Sequence, residues 1–123
     1  MEPIEVAIVG TGWCGGIRAE TCAAHPLVEA LHIAETRPER LQEVAAATRP
    51  RTAVADYRKL LDNDDIAAVF ISATPETTHF PIARDCLIAG KHVFLEKPIA
   101  LELSEADELI ALARSRGLKF TIG

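Results

Sequence analysis

The sequence has only three cysteines, fewer basic than acidic residues and no long apolar run. The three cysteines, Cys14, Cys22 and Cys86, are odd in number, and their spacing matches no metal-ligand pattern. This argues against a disulfide framework and against a metal site, and it indicates reduced thiols. We expect Cys22 and Cys86 to pack in the core.

The missing features also limit the kinds of partner that the chain is expected to bind. No apolar run is long enough to span a bilayer, and Met1-Glu2-Pro3 lacks the basic start of a signal peptide, so we expect a cytoplasmic protein without a membrane partner. Nucleic acids are bound by clustered Lys and Arg, and the formal net charge of −5 argues against such a partner. A chain of 123 residues is long enough for one folded domain with a core.

The most informative stretch is an apolar run, residues 6–9, followed by Gly10-Thr11-Gly12-Trp13-Cys14-Gly15. The run predicts a strand buried on both faces, with a helix after the glycines. Gly10 suits a tight turn, Gly12 lets the backbone approach a pyrophosphate, and Gly15 lets the helix pack close to the strand. A glycine-rich turn can also be purely structural, so this pattern alone leaves the function open.

An acidic residue lies where a dinucleotide site needs one. Glu35 follows the predicted second strand, residues 31–34, at the distance from the glycines at which a carboxylate binds the adenosine ribose. The alternative is a solvated charge at a helix start, and we favour ribose binding. Thr36 and Arg37 border the same pocket. Arg37 could accept a 2′-phosphate, but Glu35 favours NAD over NADP.

Capping residues, proline and glycine set the predicted helix boundaries. Residues 13–25 form the first helix, which stops before Pro26. Thr36-Arg37-Pro38-Glu39 has the form of a capping box and opens a helix through Ala47. The other predicted helices are residues 56–61 with Asp56 as the cap, residues 78–89 closed by Gly90, and residues 104–115, which start at Ser104 and end before Gly117.

The remaining apolar runs complete a sheet. Residues 52–54, 66–71, 92–95 and 119–123 are predicted strands, so six strands alternate with helices. This alternation predicts an α/β fold, a doubly wound parallel sheet with helices on both faces. Ligands bind outside the carboxyl ends of such strands, so Ser72-Ala73-Thr74-Pro75 is a candidate wall for the nicotinamide.

Several motifs coincide in order: the glycine turn, Glu35, Thr74-Pro75 with His79, and the stretch from Ala89-Gly90-Lys91-His92-Val93 to Glu96-Lys97-Pro98. Together they resemble the N-terminal domain of the Gfo/Idh/MocA family of glucose-fructose oxidoreductases and inositol dehydrogenases. The resemblance covers nearly the whole chain. It implies a Rossmann-like fold that the family follows with an α/β domain, which builds the substrate pocket and commonly the oligomer interface.

The resemblance also implies roles for single residues. Lys97 would lie beside nicotinamide and substrate, where its ammonium assists proton transfer to or from a hydroxyl; outside this family, an exposed lysine before a turn-forming proline would be the simpler interpretation. A cis bond between Lys97 and Pro98 is expected, and His92 is assigned to packing. The residues expected to bind the cofactor are Gly10, Thr11, Gly12, Trp13, Cys14, Gly15, Glu35, Thr36, Arg37, Ala73, Thr74, Pro75, His79, Glu96, Lys97 and Pro98.

Three points leave alternatives open. Trp13 covers the pyrophosphate turn or simply packs, and Cys14 positions the backbone or is a reactive thiol at a helix start. Glu76 stands where many family members have asparagine. The chain stops at Gly123, before the family's catalytic aspartate and histidine, so we expect residues 1–123 to be a single dinucleotide-binding domain without the substrate domain or its oligomer contacts.

The sequence therefore predicts the cofactor-binding portion of an NAD(P)-dependent oxidoreductase, with NAD as the expected cofactor. Its small-molecule substrate would be a secondary alcohol or ketone of a sugar, a cyclitol or a cyclic diol. The alternative is a stand-alone dinucleotide-binding sensor or regulatory module. Lys97 favours the enzyme, because a pure binding module has no use for a lysine at the hydride-transfer position.

Overall fold

Six strands and five α-helices alternate along residues 1–123, all of which are described by the computed structural model. The strands are β1 Ile4–Val9, β2 Val28–Ala34, β3 Thr52–Val54, β4 Ile66–Ile71, β5 His92–Leu95 and β6 Phe120–Ile122. The helices are α1 Trp13–Ala24, α2 Pro38–Thr48, α3 Arg58–Leu61, α4 His79–Ile88 and α5 Leu103–Ser115, and a 3-10 turn, Glu76–Thr78, leads into α4. None of these helices combines the length and the apolar character needed to cross a bilayer.

The strands form one parallel sheet in the order β3-β2-β1-β4-β5-β6. The predicted doubly wound sheet is confirmed. Because every strand runs in the same direction, all carboxyl ends lie at one edge of the sheet. The strand order reverses between β1 and β4, which makes that point the expected crevice for a ligand.

Alternate residues of β1 face opposite sides of the sheet and separate the core into two layers. Ala7 and Val9 pack with residues of α4 and α5, while Val6 and Ile8 pack with residues of α1 and α2. Cys22 and Cys86 are buried in these two layers, as predicted. Burial raises the pKa of the Cys86 thiol to about 12, so this group is an inert apolar side chain at neutral pH.

Three predicted helix starts were wrong. Helix α2 begins at Pro38 without a side-chain cap, and the carboxylate of Glu35 accepts the N–H of Arg37, the residue before the helix. Helix α3 begins at Arg58, two residues after the predicted cap Asp56. Helix α5 begins at Leu103, so Ser104 lies inside its first turn. The two predicted glycine stops, Gly90 and Gly117, have φ angles of 82° and 65° and end their helices as expected.

Candidate functional site

The three glycines that follow β1 serve two different purposes. A Cβ on Gly10 would lie 2.6 Å from the backbone of Ala73, and one on Gly15 would lie 1.9 Å from the carbonyl oxygen of Gly10. The fold itself therefore requires these two glycines. A Cβ on Gly12 would meet only Arg37 Nη2, at 3.9 Å. Gly12 thus keeps open a space that no protein atom fills.

Helix α1 starts beside this open space without a cap. Gly12 is the N-cap residue, no side chain accepts a hydrogen bond from the first turn, and that turn holds no acidic residue. The first N–H groups of a helix have no acceptor within the helix, and they carry partial positive charge. This arrangement suits the binding of an anion such as a pyrophosphate.

Glu35 follows β2 at the same edge of the sheet and is 5% exposed. Its Oε1 accepts hydrogen bonds from the N–H of Thr11 at 2.9 Å and from its hydroxyl at 2.8 Å. Its Oε2 accepts from the N–H of Arg37 at 2.9 Å and from Arg37 Nε at 3.2 Å. The carboxylate therefore ties the start of α2 to the glycine turn.

These contacts stabilise the ionised form of the Glu35 carboxyl. Burial alone would raise the pKa of this carboxyl, but the hydrogen bonds from Arg37 and Thr11 outweigh burial and lower the pKa to about 2. Glu35 is consequently an anion throughout the physiological pH range. The Arg37 guanidinium beside it is largely exposed, so a ligand can reach it.

Thr11 is fixed from a second side by a residue that the sequence analysis missed. Arg40 of α2 donates from Nε to the Thr11 carbonyl at 2.6 Å. The N–H, the hydroxyl and the carbonyl of Thr11 are thus all engaged, and the side chain is fully buried. These contacts tie the glycine turn to Glu35 and to α2.

A cavity of about 580 Å³ opens at the carboxyl ends of the strands, between the glycine turn and the N-terminal region of α4. Of the predicted cofactor residues, those that line it are Gly10, Thr11, Gly12, Glu35, Thr36, Arg37, Ala73 and Thr74. Those that do not are Trp13, Cys14, Gly15, Pro75, His79, Glu96, Lys97 and Pro98. Trp13 is 83% exposed and therefore does not pack in the core of this chain.

The far wall of the cavity contains residues that the sequence analysis did not assign to the site. Asp56, Tyr57 and Arg58 line it at the start of α3, and the Arg58 guanidinium lies 4.9 Å from the Tyr57 ring centre. Tyr57 donates from its hydroxyl to Asp85 of α4, which fixes the ring. The one available signal was the position of these residues just after the predicted strand β3, whose carboxyl end reaches the same edge.

Lys97 lies outside the cavity, one residue beyond Glu96 at the carboxyl end of β5. It is exposed, and its ammonium makes no hydrogen bond or ion pair with the rest of the chain. Glu96 pairs with Arg18 of α1, which also donates to the Ser72 hydroxyl at 3.1 Å. The Lys97–Pro98 peptide bond is cis as expected, and the Thr74–Pro75 bond is cis as well.

His79 occupies a different position from the one predicted. It is 2% exposed, and its ring nitrogens face two backbone carbonyls: Nδ1 lies 2.8 Å from the Pro98 oxygen and Nε2 lies 3.0 Å from the Ala73 oxygen. A ring enclosed in this way has no free nitrogen for a ligand. The expected direct contact between His79 and a cofactor is therefore corrected to a bridge between two loops.

Comparison with known proteins decides the family. The family model described as an oxidoreductase family with an NAD-binding Rossmann fold matches residues 4–123. This chain belongs to the Gfo/Idh/MocA family.

Relatives within the family act on sugars and cyclitols. The UDP-N-acetylglucosamine 3-dehydrogenase of Acidithiobacillus ferrooxidans is 33% identical over 123 residues, which are 100% of this chain and 37% of that protein. GenD2 from gentamicin A biosynthesis, solved in complex with NAD, superposes with a TM-score of 0.91 at 32% identity, over 100% of this chain and 35% of that one.

A third relative is the scyllo-inositol dehydrogenase of Lactobacillus casei, solved with NAD(H) and scyllo-inositol. It superposes with a TM-score of 0.90 at 29% identity, over 99% of this chain and 36% of that protein. The chain therefore spans little more than a third of the length of these family members, and it matches the part of the family that carries the NAD-binding fold.

Proposed function

We propose that this chain is the cofactor-binding domain of an NAD-dependent oxidoreductase that moves a hydride between nicotinamide and a secondary alcohol or its ketone. The proposed substrates are sugars, cyclitols and related cyclic diols; a nucleotide sugar and a cyclitol are named for two of its relatives. One observation carries the proposal. The open space at Gly12, the uncapped start of α1 and the anionic Glu35 all border one cavity at the carboxyl edge of the sheet.

The residues present fit the parts of a dinucleotide. The N–H groups at the start of α1 would bind the pyrophosphate, and Glu35 would accept hydrogen bonds from the adenosine ribose after a rotation of Arg37. Asp56, Tyr57 and Arg58 would enclose the adenine end of the cavity. The bound nicotinamide supplies the carbon that gives or accepts the hydride.

Lys97 is the proposed proton-transfer residue. Its ammonium has no partner within the chain, so it is free to donate a hydrogen bond to a substrate hydroxyl and to exchange a proton with it. We propose that a second domain, of the kind that family members carry after this one, covers Lys97 and supplies the other substrate contacts. Residues 1–123 would then bind the cofactor and form one wall of the substrate site.

The first prediction separates binding from turnover. The 123-residue chain should bind NADH but should not reduce NAD with scyllo-inositol, myo-inositol or glucose, because nothing encloses a substrate at the exposed Lys97. NADH fluorescence would measure binding, and absorbance at the nicotinamide band would measure turnover. A chain that turns over a polyol by itself would remove the need for a second domain, and a chain that binds no NADH would remove the cofactor proposal.

The second prediction concerns the choice between cofactors. NADH should bind at least about tenfold more tightly than NADPH, which is a difference of about 1.4 kcal/mol, because the Glu35 carboxylate repels a 2′-phosphate. The exposed Arg37 offsets part of this repulsion. Arg37→Gln should therefore widen the preference for NADH, and Glu35→Gln should narrow it. Both are measured by fluorescence titration at one ionic strength.

A matched control for these variants is Arg84→Gln, which removes an exposed ion pair between Arg84 of α4 and Glu108 of α5, neither of which lines the cavity. This change should leave both affinities as they are. Tighter binding of NADPH than of NADH by the unmodified chain would contradict the assignment of Glu35 to a free ribose hydroxyl.

A further inference from the structure

Two side chains from different helices connect the same two segments of the carboxyl edge. Arg18 of α1 donates to the Ser72 hydroxyl at 3.1 Å and pairs with the Glu96 carboxylate. His79 of α4 lies with one ring nitrogen 3.0 Å from the Ala73 carbonyl and with the other 2.8 Å from the Pro98 carbonyl. Each bridge joins the segment after β4 to the segment after β5.

The two bridges flank a single residue. Glu96 precedes Lys97 and Pro98 follows it, so the backbone is held on both sides of the lysine. The N–H of Glu96 also donates to the Ile71 carbonyl at 2.9 Å, which adds a third contact with the end of β4. The side chain of Lys97 is meanwhile the one group in this stretch without a protein partner.

Ser72-Ala73, the segment after β4, packs against the glycine turn. A Cβ on Gly10 would lie 2.6 Å from the N and Cα atoms of Ala73, so these two backbones are in direct contact. The bridges fix Lys97 relative to Ser72-Ala73, and Ala73 contacts the glycine turn. They therefore also fix the distance between Lys97 and the turn proposed to hold the pyrophosphate.

Both bridges are shielded from water, which makes them costly to break. The side chains of Arg18 and Glu96 are 24% and 22% exposed, and the guanidinium lies 4.8 Å from the centre of the Phe94 ring. His79 is buried and its ring donates at least one hydrogen bond, so removing its nitrogens leaves the carbonyl of Ala73 or of Pro98 without its donor. A surface ion pair that water can replace would not hold the backbone in this way.

We infer that Arg18 and His79 are positioning residues for Lys97, and that together they set where its ammonium stands relative to the bound dinucleotide. This inference rests on the proposed function of Lys97. Neither side chain needs to touch the cofactor or the substrate. Misplacing a reacting group by about 1 Å can lower a rate about a hundredfold, so a bridge that fixes the backbone is sufficient to matter.

The first test uses the 123-residue chain and needs no substrate. In Arg18→Met and in His79→Phe, the amides of Glu96 and Lys97 should exchange with deuterium about tenfold faster or more, as measured by NMR, while the amide of Ile8 in β1 keeps its rate. Arg18→Lys retains the charge and should restore part of the protection. Arg84→Met is the matched control and should change neither amide. Unchanged exchange at Glu96 and Lys97 in both variants would overturn the inference.

The second test is a double-mutant cycle on turnover in the two-domain protein. Arg18→Met and His79→Phe should each lower kcat about tenfold or more, with the KM for NAD little changed, when the rates are measured well below the midpoint of thermal unfolding of each variant. In a Lys97→Met background the same changes should have almost no further effect, because they act through the lysine. A purely structural role would lower kcat by the same factor in both backgrounds.

The outcomes distinguish the positioning role of Arg18 and His79 from the proton-transfer role of Lys97. Additive losses would overturn the positioning role while leaving Lys97 as the proton-transfer residue. Full turnover by Lys97→Met alone would instead overturn the proposed role of the lysine, and the inference with it. Coupled losses, together with faster exchange at Glu96, would support both.

Discussion

Replacing Gly12 with valine should reduce NADH binding by more than about a hundredfold while leaving the free energy of unfolding within about 1 kcal/mol. The backbone of Gly12 has a φ of −63°, which other residues adopt, and a Cβ there would meet only Arg37 Nη2, at 3.9 Å. The fold therefore tolerates the side chain. A pyrophosphate that must approach the backbone does not. Fluorescence titration with NADH and urea unfolding measure the two effects.

Gly15→Ala is the contrasting variant in the same turn. Its Cβ would lie 1.9 Å from the carbonyl oxygen of Gly10, so we expect a loss of several kcal/mol of stability or no folded protein. The pair separates a glycine that the ligand needs from a glycine that the fold needs. Normal NADH binding by Gly12→Val would mean that the dinucleotide does not approach this turn.

Lys97→Met in the proposed two-domain protein should lower turnover by about two orders of magnitude or more and leave the dissociation constant for NADH within a few-fold. The ammonium makes no contact within the chain, so its loss costs the fold nothing. Methionine keeps the length and the apolar stem of the side chain but cannot donate or accept a proton. Steady-state rates with NAD and a polyol, and NADH fluorescence, give the two quantities.

Lys119→Met is the matched control, because Lys119 is also exposed but lies just before β6, at the edge of the sheet opposite to Lys97. Its turnover should equal that of the unmodified protein. If Lys97→Met and Lys119→Met had the same rate, Lys97 would be a surface residue without a part in catalysis.

The fold was predictable from the sequence because its strands are uninterrupted runs of small and β-branched residues. Ile66–Ile71 and His92–Leu95 were located to the residue for this reason. The glycine turn and Glu35 were also found, because both lie within one β-α-β unit and so have a fixed spacing. Local signals of this kind do not depend on how distant parts of the chain meet.

The errors arise where distant parts of the chain do meet. Thr36 was expected to cap α2, but the helix begins at Pro38 with no side-chain cap, and Glu35 connects the N–H of Arg37 to the distant Thr11. Arg18 and Arg40 sit on helices where an arginine is ordinarily solvated, and only the sheet topology brings them to Glu96 and Thr11.

His79 shows the same limit in a different form. Its position at the start of the predicted helix 78–89, near the expected crevice, suggested contact with a ligand. The two carbonyls that enclose it come from segments after β4 and β5, which are 25 residues apart between Ala73 and Pro98. Neither segment has a sequence pattern that predicts contact between the two. Burial of the His79 ring therefore could not be predicted from the sequence.

The engagement of all three polar groups of Thr11 has an energetic consequence for any ligand of the glycine turn. Ordering a loop at the moment of binding removes conformational entropy and so weakens affinity. Here Glu35 and Arg40 order the turn when the chain folds. The conformational entropy of the turn is then already lost in the free protein. Ligand contacts with its N–H groups therefore contribute to the free energy of association with almost no further cost for ordering the turn.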